Sequence, residues 1–368
     1  VVDGVGDPTL SERYHDDAET PLRDLARQIR ESGLRRVRGA LVIDAAAWDP
    51  ARIEATWMWG DLPYGYAALG GPFVVAEGMA RVEVRGGAVG DPAVIRWWPV
   101  GDPDRFTASA RTVPPSDSVD LDAELRGSPR GVEVTGTIEA GTADTLELSV
   151  QEPVREAAAV LQRILADHGI VVDGGISVRR TEPPCRTAGP CRPLRELARI
   201  DSPTLMEIVR GVMEPSQNWM AEQILHHLGA VDGGRAGPSG GIRALRRILQ
   251  SDFGLESEDI DLRDGSGLSA YNLVTPRAVI RLLQTVHARP WAAAYAAALA
   301  EPGENESTLE GRLAGLEGRV YAKTGTITHA NSLSGYVDTV DGRRLAFTFL
   351  TNGSGTRSSQ VRRVIDEA

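Results

Sequence analysis

The sequence predicts a mixed α/β (α+β) fold in two parts, and three observations carry that expectation. From about residue 38 to 150 the chain reads as strands and tight turns. From Pro153 onward the apolar residues recur with helical spacing. Near residue 319 the pattern reverts to strands, closed by one last helix. At 368 residues the chain can bury a sizeable core, and two domains fit that length better than one.

The elements follow in order. Residues 20–33 read as a helix, with Thr20 as its cap, Pro21 in the first turn, Leu22, Leu25, Ala26 and Ile29 on one stripe, and Gly33 as its stop. "RGALVID" (38–44) reads as a strand. The stretches "MARVEVRG", "AVIRWWPV", "GVEVTGTIEA" and "TLELSV" continue the strand-and-turn texture, punctuated by Gly, Pro and Asp. "VREAAAVLQRILADHG" (154–169) is helical and ends at Gly169. Helical patterns recur at about 203–213, 216–228, 239–251, 275–288 and 290–300. Strands are expected at 319–324, 332–339 and 344–351, with Asp341-Gly342 as the hairpin turn between the last two, and a helix from near Ser358. Neither an internal repeat nor a low-complexity segment is visible.

Composition bounds the function. The chain is 42% hydrophobic and 25% charged, ordinary for a globular protein. A net charge of −11, without a basic patch interleaved with aromatics, argues against nucleic acid as a partner. No apolar run approaches the roughly 18–20 residues of a membrane span. The six histidines, His15, His168, His226, His227, His287 and His329, form no ligand set by spacing, so neither a metal nor another cofactor is expected. Cys185 and Cys191 are separated by five residues in a Pro/Gly loop. That spacing admits a small disulfide loop, suited to an oxidising compartment, or two reduced thiols.

Three polar islands interrupt the apolar periodicity. In "EPSQNWMAEQILHHLG", Ser216-Gln217-Asn218 opens a helix whose inner face is Trp219, Ile224, Leu225 and Leu228. Ser216 has two readings: the plainer is a helix cap, and the other is a turn that aims Ser216 and Asn218 into a cleft. In "DLRDGSGLSAYNLVTP", Asp264-Gly265-Ser266-Gly267 is a tight turn, and Thr275-Pro276 starts the next helix. The third island, Lys323-Thr324-Gly325-Thr326, ends a short strand. Of the 40 lysine and arginine residues, Lys323 is the only lysine. Arginine would serve equally well as a solvated charge on a strand edge. A compact ammonium is needed where a point charge, or an amine able to shift its pKa, must fit a polar pocket. Gly325 allows close approach of another backbone, and Thr324 and Thr326 add hydroxyls. The combination describes an anion-binding strand edge, suited to a peptide's terminal carboxylate.

Ser-x-Asn followed 107 residues later by Lys-Thr-Gly resembles the motif set of the penicillin-recognising serine enzymes. "GDPTLS" (6–11), "GALVID", "WMWGDLPYGYAA" (57–68), "SPTLMEIV", "DGSGLSAYN", "STLEGRL", "YAKTGTITHANSLSGYV" and "FTFLTNG" narrow this. Together they resemble the D-alanyl-D-alanine carboxypeptidase/endopeptidase family of the penicillin-binding protein 4 type, the low-molecular-mass class C penicillin-binding proteins, over nearly the whole chain.

The resemblance implies a transpeptidase/β-lactamase-like domain, a five-stranded antiparallel sheet flanked by helices, built from residues 1–17 and 151–368. A β-rich domain, 18–150, is inserted into it. It implies a serine-type carboxypeptidase without cofactor, acting on peptidoglycan stem peptides, binding β-lactams, and periplasmic or otherwise extracytoplasmic. Lys323 and Ser216 would hydrogen-bond across the cleft and pass a proton to the leaving amine. Asn218 would hold the substrate amide carbonyl. Thr324 and Thr326 would bind the terminal carboxylate, and the Thr326 N–H would supply half of the oxyanion hole. Asp61, in "WMWGD", corresponds to the insertion-domain acid that reaches the substrate's side-chain amine; its plainer reading is a capped loop after the tryptophans.

One departure stands out. The family's acylated serine lies in a Ser-x-x-Lys, and here the residue three before the only lysine is Val320. The expectation is therefore a fragment without its nucleophile, inactive by itself, with poor solubility or a low melting temperature. The alternative is a non-catalytic peptidoglycan-binding homologue.

Overall fold

The structure, a computed structural model, describes residues 1–368 except 51–52, 116–118, 128–130 and 182–193. Cys185 and Cys191 lie outside the described residues. Two compact units divide the chain: Val1–Ile53, Met58–Ser202 and Arg235–Gly237 form the first, and Glu54–Trp57, Pro203–Gly234 and Pro238–Ala368 the second.

The first unit holds β1 (Val2–Asp3), α1 (Thr20–Glu31), β2 (Arg36–Val37) and β3 (Leu41–Asp44), followed by β4 (Met79–Arg85), β5 (Val94–Trp98), β6 (Phe106–Ala108), β7 (Arg111–Val113), β8 (Asp120–Arg126), β9 (Gly131–Glu139) and β10 (Ala143–Ser149). It ends with α2 (Pro153–Asp167), β11 (Val171–Val172) and β12 (Ile176–Arg179). The cap of α1 differs from expectation. Thr20 is already helical, and the Asp17 carboxylate accepts the Glu19 and Thr20 N–H groups at 2.8 and 2.9 Å. An aspartate three residues upstream satisfies the free donors that Thr20 was expected to serve.

Period-two alternation builds the β core. Ala80, Val82 and Val84 of β4 point inward and pack with Val132, Val134 and Ile138 of β9, Leu148 of β10 and Phe106 of β6. Strand β4 lies between β10 and β5 in one antiparallel sheet. Strand β9 is the centre of the other, flanked by β6, β7 and β8. A parallel sheet of order β1-β3-β12 and the parallel pair β2–β11 complete the unit. Compactness groups residues 151–202 with the β-rich stretch, whereas the expected boundary fell at 150. Helix α2 packs on α1 and β3, and β12 pairs with β3, so these elements share one core.

The second unit contains α3 (Leu205–Met213), α4 (Asn218–Val231), α5 (Pro238–Ser251), the pair β13 (Ile260–Asp261) and β14 (Leu273–Val274), α6 (Pro276–His287) and α7 (Ala292–Ala296). Then come β15 (Val320–Ile327), β16 (Ala330–Asp338), β17 (Arg344–Asn352) and α8 (Ser358–Glu367). Thr204 and Glu207 close a reciprocal cap on α3, and the Thr275 side chain caps α6. The helix expected over 290–300 shortens to α7. Ala298, Leu299 and Ala300 are buried, and Ala300 bridges Ala322.

The antiparallel sheet has the order β15-β16-β17, three strands among the described residues against the five that the resemblance implies. Helix α8 covers one face: Ile365 and Val361 pack on Val320, Ala322 and Leu333. Helix α6 covers the other, where Leu283 and Val279 meet Tyr336, Tyr321 and Ala346, and the Tyr336 hydroxyl donates to the Leu283 carbonyl at 2.7 Å. This sandwich fixes β15 as an edge strand in a set register, with Lys323 opposite Ser334 and Thr326 opposite Asn331. Among the described residues no helix is long and apolar enough to cross a membrane.

Candidate active site

The site is built where β15 meets the start of α4. Alternation along β15 puts Lys323 and Gly325 on one face and Thr324 and Thr326 on the other. The Ala322 N–H donates away from β16, to the Ala300 carbonyl at 2.9 Å. By the same alternation the N–H groups of Thr324 and Thr326 point to that outer edge, which no further strand covers among the described residues.

Lys323 curls back to this edge. Its Nζ donates to the Thr324 carbonyl at 2.7 Å and to Ser216 Oγ at 2.6 Å. No described carboxylate forms an ion pair with it. Burial without such a partner lowers its pKa from the usual lysine value to about 8. The amine is therefore close enough to neutrality to give up or take a proton near physiological pH, which a guanidinium cannot do.

Ser216 is not the cap of α4. Gln217 occupies that position, and its side-chain oxygen accepts the Met220 N–H at 3.0 Å. Ser216 sits one residue earlier with φ at +65°, in the left-handed region. The chain there is held from both sides: Glu214 ends α3, and the Gln217 N–H returns to the Val212 carbonyl at 2.9 Å. A serine in this conformation costs about 1–2 kcal/mol, and such strain gathers at functional sites. Ser216→Gly is expected to raise unfolding stability by about 0.5–1 kcal/mol in urea titrations, because the gain is partly offset by the freer unfolded chain. The same substitution removes the hydroxyl that accepts from Lys323.

Asn218 is the first residue of α4, two positions beyond Ser216. Thr326 Oγ1 lies 3.4 Å from Asn331 Oδ1 and is the exposed end of the Lys-Thr-Gly-Thr stretch. Gly325 has a structural reason for lacking a side chain, since a Cβ there would stand 2.4 Å from Ser332 Oγ on the neighbouring strand. Asp61 belongs to the other unit, in the 3₁₀ turn Trp59–Asp61. Its carboxylate accepts the Tyr66 hydroxyl at 3.0 Å, and the Tyr66 ring stacks on Tyr64 at 5.7 Å between centroids. Burial, then this bond to Asp61, pushes the Tyr66 phenol well above its ordinary range.

The sequence reading treated Asp264-Gly265-Ser266-Gly267 as a bare turn and passed over Glu222. The structure joins them: Glu222 Oε1 accepts the N–H groups of Gly265 and Ser266 at 2.9 and 2.7 Å. The one available signal was an acid four residues after Asn218, inside an otherwise buried stretch of helix.

Three comparisons bear on this geometry. The chain is 32% identical over 363 residues to a D-alanyl-D-alanine carboxypeptidase of Actinomadura sp. (strain R39), covering 95% of this chain and 65% of that protein; the chain thus spans about two thirds of that relative's length. It is 23% identical to the D-alanyl-D-alanine carboxypeptidase DacB of Haemophilus influenzae, over 97% of this chain and 72% of that one. Its fold is similar to the crystal structure of penicillin-binding protein 4 (dacB) from Haemophilus influenzae, with a TM-score of 0.79 and 22% identity, over 99% of this chain and 80% of that one. The same protein complexed with a β-lactam gives a TM-score of 0.75 at 21% identity, over the same shares. The mixed helix-and-sheet architecture is thus the penicillin-recognising fold. The family model described as D-Ala-D-Ala carboxypeptidase 3 (S13) matches residues 1–368, and the chain belongs to that family.

Proposed function

We propose that the full-length protein is a serine-type D-Ala-D-Ala carboxypeptidase/endopeptidase of peptidoglycan, acylated by β-lactams and working outside the cytoplasm. The observation that carries this is the 2.6 Å bond from the lone lysine to Ser216 beside an open strand edge. Residues 1–368 supply the docking and proton-transfer half of the site. A stem peptide adds to the edge of β15 as an extra strand, with main-chain bonds to the outward N–H groups of Thr324 and Thr326. The hydroxyls of Thr324 and Thr326 take the terminal carboxylate, and Gly325 keeps the strand slim between them. Asn218 holds the amide carbonyl, and the Thr326 N–H faces the oxyanion. Lys323 and Ser216 relay the proton to the departing D-Ala amine. Asp61 receives the amine of the stem peptide's side chain. Residues 18–150 form an inserted domain within 1–17 and 151–368, a reading supported by the separate apolar core of β4–β10.

Residues 1–368 contain no Ser-x-x-Lys, so they carry no acyl transfer alone. That same feature favours the second reading, a binder of stem peptides without hydrolysis. Covalent labelling of the full-length protein by a fluorescent penicillin separates the two. The enzyme gives a labelled band that survives denaturing gels and is lost after competition with unlabelled penicillin. A full-length protein that binds stem peptides and stays unlabelled is the binder.

A further inference from the structure

The bond between Lys323 and Ser216 lies just before the start of α4, and the turn after β13 packs on that helix. Asp264 makes the turn after β13 rigid. Its carboxylate accepts four donors: Trp57 Nε1 at 2.9 Å, the Ser269 N–H at 2.6 Å, the Gly267 N–H at 2.9 Å and Asn272 Nδ2 at 2.6 Å. Ser269 Oγ adds a bond to Thr56 Oγ1 at 2.7 Å. The turn is pressed against α4, since a Cβ on Gly265 would stand 2.9 Å from Leu225 Cβ and 3.0 Å from the Ala221 carbonyl.

Between those contact points lies Glu222, 2% exposed. It sits four residues after Asn218, on the same side of the helix. Its Oε1 takes both turn N–H groups, while its Oε2 is buried and has no hydrogen-bond partner among the described residues. A half-satisfied buried carboxyl beside Asp264 costs stability. Burial and that neighbouring charge raise the Glu222 pKa to about 7, and Glu54 is raised to about 7 by burial and by Asp264. An apolar residue of similar volume would avoid the cost. What Glu222 supplies in return is a directional, two-point link between the helix and an immobile turn.

We propose that Glu222 is a positioning residue for the Ser216–Lys323 pair: by accepting the N–H groups of Gly265 and Ser266 it locks the first turns of α4 against the Asp264 turn. This rests on the reading of Ser216 and Lys323 as the proton-transfer pair. Small displacements of such groups are costly to reaction rates, because the geometry and not the binding is lost. The role needs an acceptor at Oε1, not a negative charge.

The test uses Glu222→Gln and Glu222→Met in the full-length protein. Gln keeps the acceptor. Met keeps the volume and removes both the buried carboxyl and the acceptor of the two turn N–H groups, and far-UV circular dichroism reports whether it folds. Penicillin acylation is split into its saturating rate constant and its half-saturation concentration. Glu222→Met is expected to lower the saturating rate about 10–100-fold with the half-saturation concentration within about twofold, and Glu222→Gln to stay within about threefold of wild type. Either a wild-type rate in Glu222→Met, or a Glu222→Gln as slow as Glu222→Met, overturns the proposal. A second readout needs no reaction. In protein labelled with 13C-lysine, the Lys323 Cε signal, assigned by its loss in Lys323→Arg, should titrate higher in Glu222→Met and unchanged in Glu222→Gln. An identical midpoint in all three proteins contradicts the positioning role. Absence of wild-type labelling, by contrast, sinks the carboxypeptidase reading and leaves this second readout to judge Glu222.

Discussion

Lys323→Arg is expected to reduce penicillin acylation of the full-length protein by about 10²–10⁴-fold, the range of a positioned proton-transfer group. The substitution preserves the charge, so a merely electrostatic role would leave most of the activity. Two features decide against that. The ammonium bonds Ser216 Oγ and the Thr324 carbonyl within one compact half-buried space, at 2.6 and 2.7 Å, which a planar fork cannot reproduce. The lysine pKa near 8 permits a neutral amine in the working pH range, whereas arginine stays charged. Second-order rates of fluorescent-penicillin labelling measure the effect. A fall of less than about tenfold would mean that Lys323 contributes only its charge.

The largest stability effect is expected at Glu156→Ala, about 2–4 kcal/mol by urea unfolding. Glu156 lies in the first turn of α2 and meets the Arg105 guanidinium at 3.3 Å, with side chains 5% and 4% exposed. Its other oxygen accepts the N–H groups of Gly101 and Asp102 at 2.8 and 2.9 Å. Truncation therefore removes the one buried carboxylate facing the cation, leaving it the half-exposed Asp102 and Glu152 at 3.4 and 4.0 Å, and strips two backbone donors of their acceptor. Glu156→Gln, which keeps an acceptor without the charge, should fall between. A loss below about 1 kcal/mol for the alanine variant would show that water readily replaces the carboxylate.

These two sites differ in how far the sequence revealed them. Lys323 stood out because the chain uses arginine everywhere else, so composition itself marked the position. Glu156 and Arg105 are 51 residues apart, and nothing in local periodicity announces a buried pair between them. The strands of the second unit were legible because Asp341-Gly342 and regular alternation are local signals, and the three strands lie within a few residues of the expected spans. The parallel sheet of β1, β3 and β12 was not, since its strands are two to four residues long and β3 pairs with β12 across more than 130 residues of chain. Ser216 illustrates a different limit. Serine before a helix reads as a cap, but here Ser216 also terminates the preceding helix: its left-handed backbone goes with the local bond from the Gln217 N–H to the Val212 carbonyl at the end of α3, and the cap moves to Gln217. Glu222 was passed over because polar residues on a helix are presumed to face water. Here Glu222 and Gln223 are both buried.

A crystal structure of the full-length protein acylated by a penicillin tests the proposed site. The adduct's carboxylate is expected within hydrogen-bond distance of the Thr324 and Thr326 hydroxyls, its carbonyl oxygen on the Thr326 N–H, and Ser216 and Lys323 flanking the leaving side. An adduct whose carboxylate lies away from β15, with Ser216 and Lys323 more than about 5 Å from the acyl group, would contradict that site.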